Sequence, residues 1–363
     1  MKTKSIILTV MAMLLAGKTY PYSHDGHYLV GAIADQMLAG TPTSVKVKRL
    51  LGNVSLATAA TMPDEIKDWD PHGRQFGSPF NVTNNKKLNS GLEAFLNANQ
   101  TRPDCSGELL HHEYHFTDVQ VFDPSTYSQG QVGTSGHDVV HMISFCIDVL
   151  SGRQSPNNPQ KITQPVALVL LVHYVGDIHQ PLHVGAEYFD QAGNPANPNH
   201  TTPFAADKGG NALAMELTNL PDRHAMHPGN LHHYWDQNAV ETAMVSWAKQ
   251  INSANPNPRP VTLNDVAKFL KNRLPQGWTA EPNIDPATFA VNCANEILPI
   301  AQEAHKRLSF SGIINNNGVS CLQVKGGNAS ASTNYPAFAA AVVADEIQKG
   351  GHRLADLLQK ILK

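Results

Sequence analysis

The sequence predicts a single all-α domain with long loops that runs from about residue 22 to the C-terminus. Amphipathic patterns with a helical period recur along the chain, whereas runs typical of strands are scarce. The stretches between these patterns are rich in Asn, Pro and Gly, which is typical of surface loops. A chain of 363 residues leaves one or two domains open. Because no repeat or long linker divides it, we expect one mostly helical domain.

The helical period is clearest in segments spread over the whole chain, at residues 28–38, 138–150, 164–178, 263–270, 286–308 and 337–362. Pro181 predicts that the third of these helices ends before it, because proline cannot continue a helix. Residues 190–208 and 253–260 are predicted loops.

Composition excludes several classes of protein. With 41% hydrophobic and 16% charged residues, the chain is neither disordered nor fibrous. The formal net charge of -3 provides no overall positive field, so a nucleic acid would have to be bound by a local site. The 18 histidines are about twice the number expected in an ordinary chain of this length. This excess indicates metal binding.

The N-terminus has the arrangement of a secretory signal peptide. Lys2 and Lys4 precede an apolar run over residues 5–16 and then Gly17. We expect residues 1–21 to be this signal, with cleavage between 17 and 21, and residues 22–363 to form the mature domain. The run is shorter than the roughly 20 residues that span a bilayer, so we expect no stable membrane insertion. The predicted location is secreted, or the lumen of a secretory or lysosome-like compartment.

Potential glycosylation sites and cysteines are consistent with export. The Asn-X-Ser/Thr pattern occurs at Asn53, Asn81, Asn99, Asn199 and Asn328. In an oxidising compartment, four cysteines predict two disulfides with three possible connectivities, and these cysteines are Cys105, Cys146, Cys293 and Cys321.

The strongest chemical signal lies in the predicted helix over residues 164–178. His173 and Asp177 are four residues apart, which places both on one helical face. His183 follows Pro181 and can therefore approach the same region from the next turn. His232 and Asp236 repeat the spacing, with Trp235 as a bulky neighbour that can hold the pair in place.

Imidazole and carboxylate ligands in this pattern favour zinc. These five residues are too few for several ions, but upstream donors are available in His27, Asp64 and the segment 111–118. A lone histidine such as His27 is by itself more often structural. We interpret His111, His112 and His233 as supporting or surface residues beside the ligands.

The chain resembles the single-strand-specific zinc nucleases of fungi and plants, of the mung bean nuclease type, which are related to the bacterial zinc phospholipases C. The resemblance spans nearly the whole mature chain. It rests on motifs in the family's order: Gly26-His27, Asp64, His115-Phe116-Thr117-Asp118, His173-x3-Asp177-x5-His183, Gly209-Gly210-Asn211, Asn230-x-His232-x2-Trp235-Asp236 and the segment 351–358.

The resemblance implies three zinc ions per chain. One ion of a pair would be held by Asp64, His115 and His173, with Asp177 bridging to its partner, which His27 also binds. The third ion would be held by His183, His232 and Asp236. Asp64 and Asp177 are therefore the implied catalytic residues. Such a pair would lower the pKa of a bound water toward about 7 and so supply hydroxide for attack on phosphorus.

Further ligands follow from the same resemblance. The family uses the amine of the mature N-terminal residue on one zinc, and this position corresponds to Tyr22. Either a second trimming step exposes Tyr22, or that site is rebuilt, for which we take His24 as a substitute donor. Phe116 and Asp118 would bind a nucleobase by stacking and hydrogen bonding, which requires an unpaired base. Gly209, Gly210 and Asn211 would bring the backbone close to the substrate.

The implied activity is endonucleolytic hydrolysis of single-stranded DNA and RNA to 5'-phosphate products, with 3'-nucleotidase activity, by a protein that we expect to be a monomer. The long loop at residues 194–200 would alter the substrate groove, so nucleotide preference need not follow the fungal enzymes. A zinc phospholipase C is the alternative enzyme, and a zinc-sequestering protein is the non-enzymatic alternative.

Overall fold

The computed structural model describes residues 24–69, 80–101, 109–200, 205–217, 229–253, 257–280, 284–315 and 323–362. About 53% of the chain is helical, which confirms the predicted fold class. The helices are α1 His24–Leu38, α2 Pro42–Leu51, α3 Leu56–Ile66, α4 Lys86–Ala98, α5 Leu110–Glu113, α6 Val139–Leu150, α7 Gln164–Asp177, α8 Leu231–His233, α9 Ala239–Asn252, α10 Leu263–Leu270, α11 Phe289–Lys306 and α12 Tyr335–Ile361.

Helix α7 lies at the centre of the fold. Residues 166–177 are all buried, so the helix is apolar on every side except where His173 and Asp177 stand. It packs against α1, α3, α4, α6 and α12. The ends of several helices therefore meet where α7 carries its two polar side chains.

Helix α3 is fixed against α1 by its first turn. The carboxylate of Asp35 in α1 accepts hydrogen bonds from the backbone N–H groups of Leu56 (3.2 Å) and Ala57 (3.0 Å). Ser55 adds a side-chain cap by accepting from the N–H of Thr58 at 3.1 Å. These bonds satisfy donors that a helix N-terminus leaves free, and they set the position of α3 relative to α1.

Short strands complete the fold. They are β1 Val119–Gln120, β2 Gly185–Ala186, β3 Tyr188–Phe189, β4 Ala205–Ala206, β5 Ala214–Leu217, β6 Leu308–Asn315 and β7 Val324–Ala331. β1 pairs with β2 in parallel, and β3 pairs with β4 in antiparallel orientation. The largest sheet has the order β5-β7-β6, with β5 parallel and β6 antiparallel to β7.

The predicted helices are all present, with small changes at their ends. The helix at residues 263–270 has the predicted bounds, whereas α1 begins four residues earlier than the pattern and α11 ends at Lys306. The pattern missed α2, α3, α4 and α9, and it missed the β6–β7 pair. Among the described helices, none combines the length and apolar composition needed to cross a bilayer.

Several predictions fall on residues outside the described ranges: the signal at 1–21, Tyr22, Cys105 and Cys321. Cys146 and Cys293 are buried, and the described residues contain no disulfide, so the prediction of two disulfides finds no support there. The side chain of Asn99 is buried and hydrogen-bonded to Phe95 O, Gln160 O and Tyr114 Oη. This sequon is therefore inaccessible to glycosylation in the folded protein.

Candidate metal centre

Five buried polar side chains converge at the centre of the helical core. His27 comes from α1, Asp64 from α3, His115 from the turn after α5, and His173 and Asp177 from α7. None is more than 8% exposed. Because three of the four segments are packed helices, the core itself sets these positions.

Asp177 lies between the histidines. Its Oδ1 is 3.3 Å from His27 Nε2, while its Oδ2 is 3.0 Å from His115 Nδ1 and 3.2 Å from His173 Nε2. Asp64 approaches from the other side, with Oδ2 3.7 Å from His27 Nε2 and Oδ1 3.7 Å from His173 Nε2. One carboxylate facing two sets of donors is the arrangement that a bridged pair of cations requires.

A second group lies beside the first. His183 comes from a 3-10 turn over Pro181–His183, His232 from α8, and Asp236 from a π-helical turn over Tyr234–Asn238. His232 Nε2 is 3.3 Å from Asp236 Oδ2, and His183 Nε2 is 3.8 Å from Asp236 Oδ1. The buried Trp235 donates to Tyr335 Oη at 3.0 Å, which fixes the turn as its sequence position suggested.

Ring nitrogens that face away from the clusters are hydrogen-bonded to backbone carbonyls. His173 Nδ1 lies 2.6 Å from Ala60 O, His183 Nδ1 lies 2.8 Å from His115 O, and His232 Nδ1 lies 2.8 Å from Gly209 O. Such bonds fix the tautomer and leave the opposite nitrogen as a lone-pair donor to a metal. The His183 bond also ties the two groups together.

The donor atoms fit metal ions. Three sets of potential ligand atoms lie within 4.8 Å of one another: His27, His173 and Asp177; Asp64, His115 and His173; and His183, His232 and Asp236. Asp177 Oδ1 and His183 Nε2 are buried and make no hydrogen bond within the described part of the chain. Buried polar atoms without hydrogen bonds are costly unless another partner, such as a cation, meets them.

Electrostatics lead to the same conclusion. Burial raises the pKa of Asp177, but His173, His183 and His115 outweigh it and hold that pKa well below its usual range. Burial lowers the pKa of His115 to about 4, so its imidazole is neutral and able to bind metal. Although burial opposes the change, Asp177 and Asp236 raise the pKa of His183 to about 9. The carboxylates thus favour positive charge at these positions, which a bound cation would supply.

Both groups open onto a cavity of about 690 Å³. Phe116, Asp118 and Asn211 line it. Burial, with a contribution from Asp207, raises the pKa of Asp118 to about 7, while Lys208 opposes this. The Asp118 carboxyl therefore changes between hydrogen-bond donor and acceptor near neutral pH.

Gly209 and Gly210 lie between Lys208 and Asn211, which line this cavity, but are not themselves among its lining residues. Gly209 has a φ of +58° and Gly210 a φ of +84°, conformations that favour glycine. A Cβ on Gly209 would lie 2.2 Å from Leu182 O. The backbone therefore passes close to the turn that carries His183, and the same glycine accepts the His232 hydrogen bond.

The remaining histidines considered from the sequence, all in the described part of the chain, lie outside the three groups. His24, which we took as a substitute donor, is about half exposed at the start of α1, with Nδ1 3.5 Å from Asp25 and Nε2 3.9 Å from Glu65. His111 is buried, and His112 Nε2 lies 3.0 Å from Lys67 O. His233 is half-buried beside His232.

Sequence analysis missed side chains that support the site. Lys67 lines the cavity with Nζ 3.8 Å from Asp64 Oδ1, and its position one helical turn after Asp64 was a usable signal. Gln180 is fully buried, and its Nε2 donates to Asp236 Oδ1 at 2.8 Å. Lys208 and Lys325 also line the cavity.

Comparison with known proteins agrees with this geometry. Residues 22–363 match the family described as S1/P1 Nuclease. Endonuclease 1 of Arabidopsis thaliana is 24% identical over 245 residues, which cover 66% of this chain and 60% of that protein. Endonuclease 3 of the same plant is 26% identical over 279 residues, covering 76% and 69%.

Nuclease S1 of Aspergillus oryzae is 25% identical over 250 residues, which cover 67% of this chain and 63% of that protein. The matched region thus spans less than two thirds of Endonuclease 1 and of Nuclease S1. The family match, in contrast, extends over the whole predicted mature chain and includes both ligand groups. The chain belongs to the S1/P1 nuclease family.

Proposed function

We propose that the protein is a secreted, monomeric, zinc-dependent endonuclease that hydrolyses single-stranded DNA and RNA to 5'-phosphate products and removes 3'-phosphates from nucleotides. The observation that carries the proposal is the position of Asp177 between two sets of histidines, beside a third His/Asp group, at a cavity lined by Phe116. Family membership supports nucleic acid as the substrate and makes a phospholipase the weaker alternative.

The residues that would hold the ions follow from the geometry. Asp64, His115, His173, Asp177 and His27 would hold a pair, and His183, His232 and Asp236 a third ion. Zinc at such a site activates water at neutral pH and offsets charge on phosphate oxygens. In the family the N-terminal amine adds a ligand, and this would be Tyr22 or a residue near it.

The protein's own side chains would position the substrate. Lys67 places a positive charge beside Asp64, where it can pair with a phosphate oxygen. Phe116 offers a ring for a base to stack on, and stacking contributes about 1 to 3 kcal/mol per base. Asp118 offers a carboxyl for the base edge. Because a paired base has neither its face nor its edge free, these contacts favour single strands.

The test is hydrolysis of single-stranded DNA, duplex DNA, RNA, 3'-AMP and lecithin by the purified protein, with metal content measured on the same sample. We expect the protein to contain zinc and to cleave single strands and 3'-AMP. In the Asp177→Ala variant we expect the rate of hydrolysis to fall at least about a hundredfold. Asp190→Ala, in an exposed loop, is the matched control. Hydrolysis of lecithin instead of nucleic acid, or full activity without bound metal, would overturn the proposal.

A further inference from the structure

Two lysines that are 117 positions apart in the sequence lie on chain segments that meet beside the cavity. Ala206 and Gln323 form an isolated parallel bridge, so the two chain segments run in the same direction from that point. Lys208 and Lys325 each lie two residues beyond the bridge. The bridge is isolated and the pairing does not continue beyond it, because Lys208 lies in the turn that follows Ala206, with a φ of +57°, while Lys325 lies in β7. Both lysines line the cavity that the ligand groups open onto.

These lysines are available for a ligand. Within the described part of the chain, neither forms an ion pair, in contrast to Lys67, whose Nζ is 3.8 Å from Asp64. Lys325 is exposed and Lys208 is half-buried. The carboxylates that line the same cavity belong mainly to the segments 64–68, 113–118 and Asp138, which are on other elements. Lys208 interacts electrostatically with the Asp118 carboxyl, and Lys208 and Lys325 together add two positive charges to the lining of the cavity.

We propose that Lys208 and Lys325 together bind a phosphate of the substrate strand that neighbours the phosphate being cleaved, which makes oligonucleotides better substrates than dinucleotides. This inference rests on the proposed nuclease function. The reacting phosphate belongs at the His/Asp groups, and a single strand that leaves this point along the cavity carries a further negative charge at each nucleotide. Two ammonium groups that line the cavity and form no ion pair within the described part of the chain match such a charge without reading the base.

The experiment compares two substrates with the same reacting bond. The thymidine dinucleotide has one phosphodiester and no neighbouring phosphate, whereas an oligothymidylate has several. The variants are Lys208→Gln, Lys325→Gln, the double variant and Lys325→Arg. Glutamine keeps an unbranched side chain at residue 208, where φ is +57°, so backbone strain is unchanged. Lys268→Gln, exposed on α10 and not part of the cavity lining, is the control.

For the double variant we expect kcat/KM on the oligothymidylate to fall about tenfold, mainly through KM, with little change on the dinucleotide. The dependence of log KM on log salt should also become shallower by about 0.7 for each lost contact. Lys325→Arg should retain most of the activity. Equal losses on both substrates, or no loss on the oligonucleotide, would overturn the role of the lysines.

A binding measurement separates this inference from the proposed function. Fluorescence anisotropy with a phosphorothioate-linked oligothymidylate reports binding without cleavage. If the unaltered protein cleaves neither substrate, the nuclease proposal fails. Even then, binding that is roughly tenfold weaker in the double variant than in the unaltered protein would still support the lysine site. An unchanged Kd in the double variant would reject the site whether or not the protein is a nuclease.

Discussion

The two groups of candidate ligands are held in place by different means. In the group around Asp177, α1, α3 and α7 supply four of five side chains, and packing of these helices sets their positions. In the group around Asp236, His183 comes from a 3-10 turn, whereas His232 and Asp236 come from the first turns of a helical segment that continues into α9. Hydrogen bonds from Gln180 and to Gly209 hold the donors of this group. The first site is organised by the packing of three long helices, whereas the second relies more on individual hydrogen bonds. We therefore expect metal to be lost first from the second.

The largest effects should come from the two aspartates at the centres of the groups. Asp177→Asn removes the charge shared by the first group, so we expect hydrolysis to fall at least about a hundredfold, together with most of the bound metal. Asp236→Asn should remove only the ion of the second group. Metal per chain after dialysis, measured by elemental analysis, checks both. Equal metal loss in the two variants would show that the groups are one coupled site.

The second prediction concerns Gln180, whose side chain hydrogen-bonds to the second group while its backbone N–H donates to Asp177 O at 2.9 Å. Its Nε2 donates to Asp236 Oδ1, and its Oε1 accepts from the backbone N–H of Leu182. Gln180→Leu removes both bonds while the residue stays buried, so we expect metal affinity of the second group to fall about 10- to 100-fold. Competition with a chelator measures this affinity. Gln250→Leu, exposed on α9, is the control. If the variant also loses metal from the first group, the two groups do not bind metal independently.

Two glycines, one beside each group, test the same difference between the groups with smaller expected effects. A Cβ on Gly176 in α7 would lie 2.5 Å from His27 Nδ1, and one on Gly209 would lie 2.2 Å from Leu182 O. We expect either alanine variant to lose on the order of 1 to 3 kcal/mol of stability. Gly176→Ala should affect the first group's metal and Gly209→Ala the second's.

Thermal unfolding and metal analysis measure these two losses. Gly130→Ala, with φ of +88° and open space around the added Cβ, separates backbone strain from crowding. If Gly209→Ala loses no more stability than Gly130→Ala and keeps its metal, the close approach to Leu182 does not matter.

The same contrast explains what the sequence could predict. The pairs His173/Asp177 and His232/Asp236 were visible because i, i+4 spacing brings side chains together within one segment. The contact between Gln180 and Asp236 crosses 56 positions, and the segments that carry Lys208 and Lys325 meet through a long-range bridge. No local pattern encodes such contacts.

Local sequence features also explain why the sequence did not predict some helices and strands. Helix α3 contains Pro63, which lacks an N–H and is normally a sign that a helix ends. Strand β7 is composed largely of Gly, Asn, Ala and Ser, which have low β propensity, so its pairing with β5 and β6 was invisible in the sequence. The helical core was predictable because its periodicity is strong, while the wall of the cavity was not.

The smallest expected effect concerns pH and the support of the second group. Glu187 follows the turn that carries His183. Its backbone N–H donates to Oδ1 of Asp207 at 3.2 Å, and Asp207 lies two residues before Gly209, which accepts the His232 hydrogen bond. Burial raises the pKa of Glu187 from 4.5 to about 7. Between these values the folded protein keeps a proton that the unfolded chain releases, so stability falls as pH rises through this window. For Asp177, whose pKa is lowered, stability is instead lost as pH falls.

Raising the pH from 4.5 to about 7 should therefore loosen the second group, and acidic conditions should loosen the first. Glu187→Gln cannot ionise, so we expect it to gain on the order of 1 kcal/mol relative to the unaltered protein at pH 8 but not at pH 4. Hydrogen exchange should show the gain in residues 205–217 and not in α1. Glu303→Gln, exposed on α11, is the control. A gain of equal size at both pH values would mean that Glu187 acts through packing, and the pH contrast between the two groups would then have to come from the histidines alone.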